Sequence, residues 1–174
     1  MSRRRTLHKS IMSKDTIPLK LQLRKATIKD VKQIHSLVNK FAKKDDMLPR
    51  SLNEIYENIR DYNVCTDNGK IVAAAALHIL WEDLAEVRSI AVSGKYQGMG
   101  AGRKLLKQCL KEAKQLGVNK VFALTYQPDY FKKFGFDDID KNDLPHKIWV
   151  DCLKCPKFPD CSEVAVIKSI DPEA

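Results

Sequence analysis

Gln97-Gly98-Met99-Gly100-Ala101-Gly102 stands between an apolar run and a helical pattern that opens with Arg103, Lys104 and Lys107. Glycines let a backbone come close to a ligand. A helix N-terminus adds unpaired N–H groups and the positive end of the helix dipole. Together they read as a cradle for pyrophosphate, with the basic side chains in the next turn and a half. Two familiar phosphate loops fit poorly. Gly102 is followed by Arg103-Lys104-Leu105, not Lys-Ser/Thr, and Gly98, Gly100 and Gly102 are evenly spaced by two, not set as G-x-G-x-x-G. The plain alternative is a flexible turn.

A second group is Cys152-x-x-Cys155-x5-Cys161, preceded by His146. Three thiols and an imidazole have the ligand types of a zinc site, but no second C-x-x-C occurs, and we assign no metal. Cys65 and Cys109 fall on predicted strand and helix faces and read as core.

The elements that must position these residues follow from periodicity. Leu21–Ala26 reads as a short strand. Thr27 caps a helix with Val31, Ile34, Val38 and Phe41 on one face. Ser51-Leu52-Asn53-Glu54 is a capping box that opens a second helix. Asp67-Asn68-Gly69 joins two strands, 63–66 and 70–80. Ala73–Ala76 belongs to the second of these, where small side chains suit close packing beneath a helix. Glu86–Val92 is a strand, and 103–116 a helix ended by Gly117. Lys120–Thr125 is a strand, and Pro128 starts a short helix that Gly135 ends. Ile148–Cys152 and Glu163–Ser169 are two further candidate strands. This mixed order predicts an α/β fold whose central sheet is mixed and largely antiparallel, flanked by helices.

The chain has 174 residues and a net charge of +9. Residues 1–20 hold six basic side chains against Asp15, so +5 belongs there and +4 to the remaining 154 residues. We read 1–20 as a disordered basic tail and 21–170 as one domain. No secretory signal and no apolar run of spanning length is present, which predicts a cytoplasmic protein with free thiols and no membrane partner. A basic, non-catalytic nucleic-acid-binding module is the competing class. It lacks interleaved aromatics or an RNA motif, so no nucleic-acid partner is expected.

Gln97-x-x-Gly100-x-Gly102, the preceding Ile90-Ala91-Val92 and the later Tyr130-Phe131-Lys132-Lys133-Phe134-Gly135-Phe136 resemble the GNAT family of N-acetyltransferases. Arg24-Lys25-Ala26-Thr27-x-x-Asp30, Leu48-Pro49-Arg50-Ser51, Ala73-Ala74-Ala75-Ala76-Leu77 and Val121-Phe122-Ala123-Leu124-Thr125 are similar to the acetyltransferase domain of N-acetylglutamate synthases. The resemblance implies a GNAT-like fold, acetyl-CoA as cosubstrate, and a small-molecule amine acceptor, best guess L-glutamate, in arginine biosynthesis. Another amino acid, a polyamine or a protein amine are the other acceptors. Oligomeric state stays open, a homodimer being one arrangement.

The resemblance also implies roles. Ile90, Ala91 and Val92 would pair with the pantetheine arm, and Gln97, Gly98, Met99, Gly100, Ala101, Gly102 and Arg103 would hold the pyrophosphate. Glu86, at the start of the strand leading to the cradle, is the candidate general base; the alternative is a surface carboxylate at a strand end. Phe131 stands where the family most commonly has a tyrosine acid, with Tyr130 one place earlier. Arg50 is the candidate for a substrate carboxylate, because guanidinium forms two parallel bonds to it. Ser51 would add its hydroxyl or N–H, the alternatives being a solvated loop charge and a plain helix cap. A further basic residue from the C-terminal region is implied, with Lys147 and Lys154 as candidates.

Overall fold

Arg24, Thr27 and Asp30 turn the chain out of its first strand. The computed structural model describes residues 21–145 and 149–171, so the expected tail 1–20, His146 and Lys147 lie outside the described residues. Strand β1 (Gln22–Lys25) is followed by a single 3-10 turn, Ile28–Asp30, and helix α1 (Val31–Ala42). The Asp30 carboxylate accepts from the Arg24 guanidinium at 2.6 and 2.9 Å. It also accepts from the Thr27 N–H at 2.8 Å and the Thr27 hydroxyl at 3.0 Å. Those donors, the Arg24 guanidinium foremost, hold Asp30 down to a pKa of about 2. Helix α1 buries Val31, Ile34 and Val38. Helix α2 (Leu52–Glu57) starts at Ser51 with a closed capping box: the Glu54 N–H donates to Ser51 Oγ at 3.2 Å, and the Ser51 N–H donates to the Glu54 carboxylate at 2.7 Å.

Strands β2 (Tyr62–Asp67) and β3 (Lys70–Ile79) form the expected hairpin. Asn68 and Gly69 both take positive φ, 48° and 79°, which this tight turn requires. Ala73–Ala76 is fully buried between two helical layers. Ala73 and Ala75 pack with the core under α3 (Ala101–Gln115), and Ala74 and Ala76 with the core under α1 and α2. Methyl groups let helices approach both faces.

The chain continues as β4 (Leu84–Val92), α3, β5 (Lys120–Thr125), α4 (Pro128–Lys132), β6 (Asp137–Ile139), α5 (Trp149–Leu153) and β7 (Val164–Ser169). The seven strands lie in the order β1-β2-β3-β4-β5-β7-β6. Every neighbouring pair is antiparallel except β4 with β5. The sheet is therefore mixed and largely antiparallel, as its sequence implied.

One predicted strand is corrected. Within 148–152 the described residues are helical, as part of α5. The outer edge of β7 is taken by β6, whose Asp137–Ile139 pairs with Ile167–Ala165. The spacing of Trp149, Val150 and Leu153 suits a helix equally well.

Candidate active site

Strands β4 and β5 pair only through Leu84–Lys120, Ala85–Val121 and Glu86–Phe122. Beyond Glu86 they part. There β4 carries one residue more than β3, since Ala76 faces Arg88 but Ala74 faces Ala91. Ser89, at φ 54°, sits in this bulge. A cleft of about 1000 Å³ opens between the parted strands. Its walls are β4 on one side and, on the other, the end of β5 with Tyr126, Tyr130 and Glu163. The start of α3 and Arg50 complete the lining.

At the α3 end, Gly98 and Gly100 take φ of 75° and 85°, and a Cβ at either would meet nothing within 4 Å. These two are glycines for backbone conformation, not for space. The first rung of the α3 ladder is Lys104 N–H to Gly100 C=O, at 3.0 Å. The amides of Ala101, Gly102 and Arg103 precede that ladder and are the helix's unpaired donors. Gly102 differs: a Cβ there would lie 2.8 Å from the Tyr130 hydroxyl. That hydroxyl is buried without a hydrogen-bond partner among the described residues, and burial raises its pKa while Arg103 pulls it down. Open amides, left-handed glycines, Arg103 and Lys107 at the rim, and an orphaned hydroxyl fit a long anionic cosubstrate.

Of the residues singled out in sequence, Ile90, Val92, Gln97, Gly98, Gly100, Ala101, Gly102 and Arg103 line the cleft. Gln97 also donates its side-chain amide to Val92 C=O at 3.1 Å, which ties the loop to β4. Ala91 packs into the α1/α2 core instead, and the Met99 side chain is exposed.

Glu86 lines the vertex of the parting and is 7% exposed. Its carboxylate accepts from Arg88 Nε, two residues along the same face of β4. Arg50 lines the cleft, and Asn39 clamps its backbone. Asn39 Nδ2 donates to Arg50 C=O at 2.8 Å, and the Arg50 N–H donates to Asn39 Oδ1 at 3.1 Å. The guanidinium reaches Glu54 at 3.4 Å. Ser51 lies outside the cleft lining, its hydroxyl and N–H both committed to the α2 cap.

Residues 28–136 match the family model described as Acetyltransferase (GNAT) family. The chain belongs to this family. It is 36% identical to a protein of Chlorobaculum tepidum described as an uncharacterized N-acetyltransferase, over 85% of this chain and 96% of that one. It is 35% identical to an amino-acid acetyltransferase of Mycobacterium tuberculosis, over 68% of this chain and 69% of the relative. In structure it resembles N-acetylglutamate synthase from Neisseria gonorrhoeae, solved with coenzyme A and N-acetyl-glutamate. The TM-score is 0.79 at 22% identity, covering 87% of this chain and 35% of that one. The chain is therefore a GNAT N-acetyltransferase with acetyl-CoA as acetyl donor.

Two residues of this cleft, Arg88 and Glu163, escaped the sequence reading. Arg88 was hidden in a strand read for its apolar positions. Tyr130, named in sequence beside Phe131, turns its hydroxyl to Gly102; both residues line the cleft, and Phe131 also packs into the core. Glu163 lines the cleft at 8% exposure. Burial raises its pKa, and the Glu86 charge adds to this. The five cysteines are free thiols, and among the described residues no three candidate ligands are grouped to hold a metal. Cys65 and Cys109 are core; burial pushes the Cys109 thiol up to about 12. Lys154 is exposed and does not line the cleft. Among the described residues no helix is long and apolar enough to cross a membrane.

Proposed function

We propose that this enzyme transfers the acetyl group of acetyl-CoA to the amine of L-glutamate, giving N-acetylglutamate for arginine biosynthesis. The observation that carries the acceptor is Arg50, which lines the cleft with its backbone held by Asn39. A guanidinium there can bind a carboxylate through two charge-assisted bonds. The name amino-acid acetyltransferase, borne by a relative 35% identical to this chain, supports the same class.

Acetyl-CoA supplies an activated thioester. The chain's own residues do the rest. The amides of Ala101, Gly102 and Arg103 hold the pyrophosphate. The edge of β4 left open beyond Glu86 offers backbone partners to the pantetheine arm. Glu86 takes a proton from the acceptor's ammonium, directly or through water, so that the nitrogen can attack. Arg50 keeps the amine end directed toward Glu86. Ser51 supports this as the cap that fixes where α2 begins.

A second reading keeps the chemistry and changes the acceptor to an amino acid without a side-chain carboxylate. Glu163 favours it, because a buried carboxyl beside Glu86 disfavours further negative charge. Incubation with acetyl-CoA and each common amino acid, read by thiol release and product mass, tests the proposal. N-acetylglutamate should form with the highest kcat/KM. Faster turnover of glutamine would install the second reading, and faster turnover of lysine or a polyamine would overturn both. Glu86→Gln should lower kcat by roughly 10²–10⁴ at pH 7, with acetyl-CoA affinity unchanged. Full activity of that variant would move the base elsewhere.

A further inference from the structure

The buried carboxyl of Glu163 has no role in the reading above, and it lies beyond the family match at 28–136. Its position is set by the sheet. Residue 163 immediately precedes β7, whose Val164 pairs with Thr125 at the end of β5. Ala165 and Ile167, on the same side of β7, pack in one cluster with Phe122 and Leu124 of β5. Phe122 is the register partner of Glu86. Glu86 and Glu163 therefore project from the same face of the sheet, on opposite sides of the point where β4 leaves β5. Both are nine-tenths buried or more, and both line the cleft.

Their partners differ. Glu86 accepts from Arg88. Among the described residues, no cation stands within ion-pair distance of Glu163; its recorded bond is from Cys161 Sγ at 3.8 Å. Lys141 and Lys157 act on it from farther away and only partly offset burial and the Glu86 charge. The thiol of Cys152 on α5 also feels the Glu86 charge.

We propose that Glu163 is a second proton-accepting carboxylate of the acetyl transfer, working with Glu86 on one acceptor nitrogen. This rests on the N-acetyltransferase reading of the cleft, whichever amine is the acceptor. An ammonium nitrogen carries three protons and the product amide one, so two must leave. The first leaves before the nitrogen lone pair can attack the thioester carbon, and Glu86 takes it. The second leaves as the C–N bond forms and the C–S bond breaks, and Glu163 takes it. The departing sulfur regains one proton through water in the cleft, and the other passes to solvent. Both carboxylates end as they began. A carboxylate whose proton affinity is raised by burial and a like charge suits the second step.

Two measurements test this. The first needs no turnover: carboxyl groups of the intact protein are titrated by isotope-edited infrared spectroscopy. One should protonate above the ordinary carboxyl value, vanish in Glu163→Gln, and move down in Glu86→Gln when the neighbouring charge is removed. No such titration, or one untouched by Glu86→Gln, overturns the pairing, and the wild type with Glu86→Gln decides even if Glu163→Gln does not fold. The second is the pH profile with any amine the enzyme turns over. Glu163→Gln should lower kcat roughly tenfold to a hundredfold and shift the acidic limb to lower pH, while KM for acetyl-CoA holds. Lost activity with an unmoved limb would mean a packing role and contradict the proposal, as would unchanged kcat. Absence of turnover with every amine in the wild type would instead fail the acetyltransferase reading.

Discussion

Asp30 separates a structural motif from a catalytic one. The run Arg24–Asp30 is part of the synthase resemblance, yet its polar atoms face one another. Asp30 is held at about 2, below its usual 3.8, so the folded state binds its proton more weakly than the unfolded chain does. The stabilisation is therefore present above pH ~4 and is lost as pH falls through ~2. Asp30→Asn should cost roughly 1–2 kcal/mol at pH 7, the full shift discounted because Arg24 is half exposed. Urea midpoints of the two proteins should converge between pH 4 and pH 2; a gap that stays constant would contradict the ion-pair account. At the same scale, Glu163 shows why sequence falls short. A glutamate between Ser162 and Val164 carries no local mark of burial, and only the parting of two strands remote in sequence gives it a cleft to face. Ser51 is the reverse case: its capping-box spacing was legible, and the geometry commits it to the helix end.

At the scale of elements, the readable parts were those whose signals are local. The Asn68-Gly69 turn, the Ser51 cap, the Gly117 stop and the glycine run before α3 each depend on neighbouring residues. The exchange of a strand for α5, with β6 at the sheet edge, was unreadable for the opposite reason. Two short segments competed for one edge of β7, and tertiary pairing decided between them. The glycine run also divides in a way that spacing could not reveal. Gly98 and Gly100 serve φ, while Gly102 makes room for Tyr130. Gly102→Ala pushes a methyl group against the Tyr130 hydroxyl, an overlap costing ~1–3 kcal/mol. It should lower the melting temperature of the free protein by a few degrees and weaken acetyl-CoA binding about tenfold. Adding Tyr130→Phe removes the clashing oxygen and should recover most of the affinity. Calorimetric titration checks both, and no recovery in the double variant would mean that Gly102 is needed for its own backbone.

At the scale of the whole molecule, one opening between β4 and β5 organises the account. The sheet is continuous through Glu86 and splits beyond it; the proposed function places the donor at the start of α3 and the acceptor at Arg50. A ligand that fills this split should stiffen both halves. Acetyl-CoA at about 100 times its Kd adds ~2.7 kcal/mol, or about 5–10 °C in melting temperature for a chain of this size. Gly100→Asp, which places a side chain and a negative charge at a left-handed position, should abolish the shift. The central claim, that a carboxylate-bearing amine is acetylated between Arg50 and Glu86, is tested most directly by kcat/KM for glutamate, glutamine, aspartate and lysine in wild type and Arg50→Ala. The account predicts glutamate first in the wild type. In Arg50→Ala it predicts a loss of ~2–4 kcal/mol, falling on the acceptor's KM and not on that of acetyl-CoA. Equal turnover of glutamate by both proteins, or lysine preferred by the wild type, would contradict it.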